Sequence, residues 1–73
     1  MEIRIQVDDK YIDELKRRIG AEKATDVARE AFTILDWATA ESKQGRLILS
    51  TDKNGSAVRH LVTGSLTQAA VQK

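Results

Sequence analysis

The order of hydrophobic patterns along this 73-residue chain predicts a mainly α domain with short β segments. It reads as a homodimer assembled around its first strand, with a C-terminal β-hairpin or extended appendage. Three observations predict this. Residues 1–7 alternate apolar and polar side chains, a period of two. Residues 9–41 hold two stretches with apolar side chains at three- and four-residue spacing. Residues 46–62 return to β-rich composition around Asn54-Gly55.

In the first stretch Ile3, Ile5 and Val7 share one face of a strand, and Glu2, Arg4 and Gln6 share the other. No second strand follows nearby in sequence. A lone strand with unpaired amides and an uncovered apolar face is not stable in water. The same strand of a second copy is the expected partner.

From Asp9 to Ile19 the apolar positions Tyr11, Ile12, Leu15 and Ile19 define a helix, with Asp8 or Asp9 able to cap its first turn. Lys16, Arg17 and Arg18 suit the negative end of its dipole, and Gly20 stops it. A second, more apolar helix follows. Val27, Ala28, Ala31, Ile34, Leu35 and Ala38 form its stripe, which continues to about Glu41 with Phe32 beside it. Its cap falls at Glu22 to Lys23 or at Thr25, and a start near Lys23 is favoured. The small residues Ala24, Ala28, Ala31 and Ala38 would let another helix approach closely, with a symmetry mate as the natural one.

Gln44 and Gly45 end that helix. Arg46 to about Val62 then reads as a hairpin with a four- to six-residue connection around Thr51 to Gly55, because Asn54 and Gly55 both tolerate positive φ. Ser65 is the expected cap of a short helix from Leu66 to Val71. Trp37 lies about sixty degrees off the stripe at one hundred degrees per residue, which makes it a candidate floor for the hairpin beneath Leu47 and Leu49. The domain division expected is a dimerising core over residues 1–44. Residues 45–73 form an appendage packed on that core and not an independent domain.

Composition narrows the function. A chain this short buries little apolar surface against its own entropy, so association is expected to stabilise it. There is no cysteine, so disulfides and thiolate metal sites are excluded. With one His and no glycine-rich phosphate loop, neither a nucleophile–base pair nor a nucleotide cradle can be assembled. His60 reads as a surface or half-buried strand residue, and Asp8, Asp9, Asp13 and Glu14 as a cap and a solvated helix face. No catalytic residue, metal or cofactor is expected. No secretory signal and no bilayer-length apolar run is found, so a soluble, cytoplasmic protein without membrane contact is expected. The net charge is only +1, divided as −2 over residues 1–44 and +3 over residues 45–73. Binding of a polyanion must therefore depend on where a few groups point, not on bulk attraction.

The strand–helix–helix order, the motif Ile3-Arg4-Ile5-Gln6-Val7-Asp8, the stop at Gly20 and the run Ala24-Thr25-Asp26-Val27-Ala28-Arg29-Glu30-Ala31 together resemble the ribbon-helix-helix family of MetJ/Arc/CopG type. The resemblance covers residues 2 to about 42. It implies an intertwined homodimer whose paired N-terminal strands enter the DNA major groove while the start of the second helix holds backbone phosphates. It also implies a cytoplasmic protein of prokaryotic, phage or plasmid origin. Lys23 stands where the family often has a small hydroxyl residue, so the phosphate contact that the resemblance implies is expected through backbone amides.

On the residues themselves the arrangement is physically reasonable, because the major groove admits a two-stranded ribbon. Arg4 can pair with guanine, Gln6 with adenine, and Glu2 can accept from cytosine or simply repel a phosphate. Lys23, Ala24 and Thr25 are the expected phosphate contacts, through free amides and one charge. Ile3, Ile5, Val7, Val27, Ala31, Ile34, Leu35 and Ala38 are the expected dimer core. The expected function is a sequence-specific DNA-binding regulator, most simply a repressor, bound as a homodimer to a palindromic operator and able to extend into higher-order arrays. The alternative is an antitoxin or protein-interaction module whose residues 45–73 hold a protein partner, a reading favoured by the acidic balance of the first 44 residues.

Overall fold

The computed structural model describes residues 1–72; Lys73, the last residue of the expected appendage, lies outside them. The protein is mainly helical with one short two-stranded antiparallel sheet. Its elements are α1 (Asp9–Ile19), α2 (Ala24–Lys43), β1 (Leu49–Ser50), β2 (Arg59–His60) and α3 (Gly64–Ala70). Two compact units divide within α2, one spanning Met1–Phe32 and the other Thr33–Lys73.

In the first unit α1 has the bounds its spacing predicts. Of the two candidate caps it is Asp8 that serves, its carboxylate accepting from the Tyr11 amide at 3.0 Å. At the other end Gly20 takes a φ of 69°, donates to the Arg17 carbonyl, and is followed by Ala21 donating to Lys16 at 2.9 Å. That pair of bonds is a Schellman closure, and it needs a left-handed residue where Gly20 stands. Ion pairs Lys16–Asp13 and Arg18–Glu14 run along the solvated face. Val27 is buried in this unit, and Ile12, Leu15 and Ala21 are half-buried.

Met1 to Asp8 belong to no helix or strand of the single chain, and Ile3, Ile5 and Val7 are exposed. The strand expected there requires ladder bonds to a second strand. The sheet contains only β1 and β2 among the described residues, so this segment is not joined to the Leu47 run.

α2 begins one residue after the expected Lys23 and runs two residues past Glu41. Thr25, one of the two cap candidates, lies inside the first turn, and Lys23 precedes the helix with no side-chain oxygen to cap it. The helix closes as α1 does. Gly45, at φ 81°, donates to Ser42 at 3.0 Å, and Arg46 donates to Glu41 at 3.1 Å. The Arg46 side chain then returns to Glu41 at 3.2 Å.

In the second unit β1 and β2 pair Leu49 with His60 and Ser50 with Arg59. A Leu61 amide to Ile48 carbonyl bond of 2.8 Å extends the ladder by a step in the same register. The connection is longer than the expected four to six residues, since Thr51 to Val58 separate the strands. Its geometry explains why. Asp52 donates to the Ser56 carbonyl, and Gly55 donates back to the Asp52 carbonyl, closing a three-residue loop over Lys53, Asn54 and Gly55. Of the two turn residues only Gly55 has positive φ, at 80°, so the expectation of positive φ at both is corrected. Asp52 opposes Ser56 while Ser50 opposes Arg59, which leaves one extra residue on the second side. Ala57, at φ 53°, is that bulge residue.

α3 is capped by Thr63, whose hydroxyl accepts from the Leu66 amide at 3.1 Å, and not by the expected Ser65. It therefore starts two residues earlier than Leu66 and ends one before Val71. The buried residues of this unit are Ala38, Ser42 and Leu66. Trp37 is not the floor of the hairpin. It is 55% exposed, and the cleft beside the strands is lined by Ser42, Leu47, Ile48, Leu61, Leu66 and Ala70. Leu66 from α3, which is buried, lines that cleft and Trp37 does not.

Candidate nucleic-acid interface

The residues expected to read DNA all lie in the first unit. Glu2, Arg4 and Gln6 are exposed. Arg4 donates from Nε to Glu2 Oε1 at 3.1 Å, and both side chains are largely in solvent. Residues two apart share a face of an extended chain, so this ion pair lies where the alternation puts the polar side. Glu2 thereby holds the guanidinium that would have to reach a base edge. An exposed pair of this kind contributes at most about 1 kcal/mol, and a guanine edge offering two acceptors can compete for the fork.

Lys23, Ala24 and Thr25 sit at the start of α2, all exposed. The first amides of a helix have no acceptor within it, and the dipole adds positive potential there. Asp26 in the same turn works against an anion, although Arg29 approaches its Oδ1 at 3.9 Å. Arg29 and Glu30 are exposed, as their helix positions imply.

The expected dimer core divides sharply. Val27 and Ala38 are buried, one in each unit. Ala31, Ile34 and Leu35, between them on the same helix, are exposed, and so are Ile3, Ile5 and Val7. Phe32 and Trp37 add aromatic surface to the uncovered middle of α2.

A residue that sequence reasoning passed over is Asp52. Its Oδ1 accepts from the amides of Asn54 and Ser56, both at 2.9 Å, and its Oδ2 accepts from the Ser56 hydroxyl at 2.8 Å. The bonds from Ser56, reinforced by that from Asn54, hold its carboxyl below the usual carboxylate range. The signal was available: Asp two residues before Asn-Gly is a side-chain turn former. His60 is exposed in β2. Among the described residues no group of three or more His, Cys, Asp or Glu could hold a metal ion, and no helix is long and apolar enough to cross a membrane. Compared with known proteins, the chain matches no family model, no curated protein and no solved structure.

Proposed function

We propose that this chain acts as a homodimeric, sequence-specific DNA-binding regulator, most simply a repressor. In this reading residues 2–7 of two copies pair as an antiparallel ribbon that enters the major groove, as the resemblance to ribbon-helix-helix proteins implies. Arg4 and Gln6 read base edges. The amides of Ala24 and Thr25, with Lys23, hold phosphates.

The observation that carries the reading is the apolar face left uncovered by one chain. Ile5 is 73% exposed and Ile34 55%. Within the first unit Ile3 and Val7 are exposed beside Ile5, and in the second Leu35 is exposed beside Ile34. The residues left bare alternate in the N-terminal segment and recur at helical spacing in α2, the two patterns a paired strand and a helix seam would need covered.

The test is selection of bound sequences from a random DNA pool at moderate salt. An enriched inverted repeat supports the reading, and the two-fold symmetry of the dimer requires it. Binding without enrichment, or without salt dependence, defeats it.

A second reading, a partner-binding module of antitoxin type, is supported by Leu47, Leu49, Val58, Leu61 and Val62, all exposed in the second unit. Its discriminating measurement is the free-state spectrum of residues 45–72. Dispersed signals favour an ordered appendage of a regulator, and collapsed signals favour a segment that orders on a protein partner.

A further inference from the structure

Asn54, the only asparagine in the chain, is followed by Gly55 in an exposed loop. Asparagine is thermolabile because its side-chain amide can be attacked by the next backbone nitrogen, and a following glycine leaves that nitrogen unshielded. An added Cβ at Gly55 would meet nothing within 4 Å, so no neighbour screens the approach either.

We propose that Asn54 is a spontaneous deamidation site whose rate is set by the Asp52 carboxylate. In the step itself the Gly55 nitrogen gives its proton to base and bonds to Asn54 Cγ. The Cγ–Nδ2 bond then breaks and ammonia leaves, closing a succinimide. Water opens the ring at either carbonyl, giving aspartate or isoaspartate. No oxidant or cofactor is consumed.

The loop opposes that step twice. The Gly55 proton is already donated to the Asp52 carbonyl at 3.1 Å. The backbone around Asn54 must also rotate out of the turn, and its amide is tied to Asp52 Oδ1 while Ser56 is tied to both carboxylate oxygens. Asp52 is therefore a positioning residue for a reaction that happens two residues away. The product disturbs the same loop, because it adds a carboxylate beside Asp52 in the half of the chain that carries the +3 balance, and isoaspartate lengthens the backbone through the turn.

The experiment ages the full-length protein at mildly alkaline pH and follows intact mass and the peptide containing Asn54. Four samples are compared: the natural chain, the natural chain in urea, Asp52→Ala and Ser56→Ala. The natural chain is expected to gain the deamidation mass at Asn54 several-fold more slowly than in urea. Asp52→Ala should approach the urea rate, and Ser56→Ala, which removes the hydroxyl bond without a change of charge, should fall between. Equal rates in the natural chain and Asp52→Ala overturn the proposal, as does ageing of the folded natural chain at the urea rate or a gain that maps elsewhere.

Discussion

Residues 1–7 and residues 46–62 both read as β-forming sequence, yet only the second becomes a sheet within one chain. The hairpin brings its own partner strand, so its amides are satisfied and its register is fixed from Ile48–Leu61 to Ser50–Arg59. The N-terminal segment has the cleaner alternation but no strand of its own chain beside it. Propensity is therefore a weaker determinant than the supply of a partner. In the hairpin the partner arrives across a loop organised by Asp52. For residues 1–7 no such partner lies among the described residues, and the proposed dimer would supply it.

The largest effect should come from breaking the N-terminal half of that contrast. Ile5→Asp places a carboxylate at the centre of the face that the second copy would cover. Burying an unpaired charge is expensive, so dimer affinity should fall by at least about 100-fold, near 3 kcal/mol. Sedimentation equilibrium reads this directly, and the hairpin's exchange protection should be retained at concentrations where the variant still folds. An unchanged dimer would mean that residues 1–7 are not its seam.

Next in size are the groove contacts. Arg4→Ala and Gln6→Ala should each lower discrimination between operator and random DNA by about 1–3 kcal/mol. Lys23→Ala should weaken both kinds of DNA equally and reduce the salt slope by about 1 for each phosphate it no longer neutralises. Competition titrations at several salt concentrations separate the two patterns. The same specificity ratio in all three variants would remove base reading from the ribbon.

The hairpin half is probed by acid. The carboxyl of Asp52 is held below its ordinary range by hydrogen bonds that exist only in the folded loop. Its contribution is therefore present above the unfolded-state pKa and is lost as pH falls through the lower, folded one. Amide exchange at Asn54 and Ser56, corrected for its intrinsic pH dependence, should lose protection in that acid window. Asp52→Ala should show the loss already at neutral pH. In the proposed dimer, dimerisation should not respond to the variant, since Asp52 bonds only within its own loop.

The smallest effect concerns the bulge. Ala57 holds a left-handed φ of 53°, a conformation that is costly for a residue with a Cβ. Ala57→Gly relieves it at some cost in unfolded-chain entropy, so a stabilisation of at most about 1 kcal/mol is expected in urea melts. A destabilisation would show that the bulge is not strained.

Much of this was legible in the residues. α1 was readable to the residue, because Asp8, the three- and four-residue spacing and Gly20 are local signals that agree. The closure of α2 at Gly45 was equally local. What escaped was set by competition between neighbours. Thr63 and Ser65 are both hydroxyl residues just before Leu66, and the earlier one takes the cap with Gly64 drawn into the first turn. Asn54-Gly55 announced a turn but not its type, which depends on Asp52 and on a bulge at Ala57 that no residue preference marks. Trp37 was misplaced because angle on a helix gives a direction and not a neighbour. In the candidate interface the sequence placed Glu2, Arg4 and Gln6 together, and the Arg4–Glu2 pair is consistent with that grouping. The alternation of residues 1–7 calls for a partner strand, and a single chain does not show one beside it among the described residues.

The most direct test mixes isotope-labelled and unlabelled chains and looks for contacts between the backbones of residues 2–7 of different molecules. An antiparallel intermolecular ladder, with Ile3, Ile5 and Val7 becoming covered and Arg4 and Gln6 staying exposed, is the result this account requires. A monomer at micromolar concentration, or a dimer whose N-terminal residues show no intermolecular contact, would contradict it.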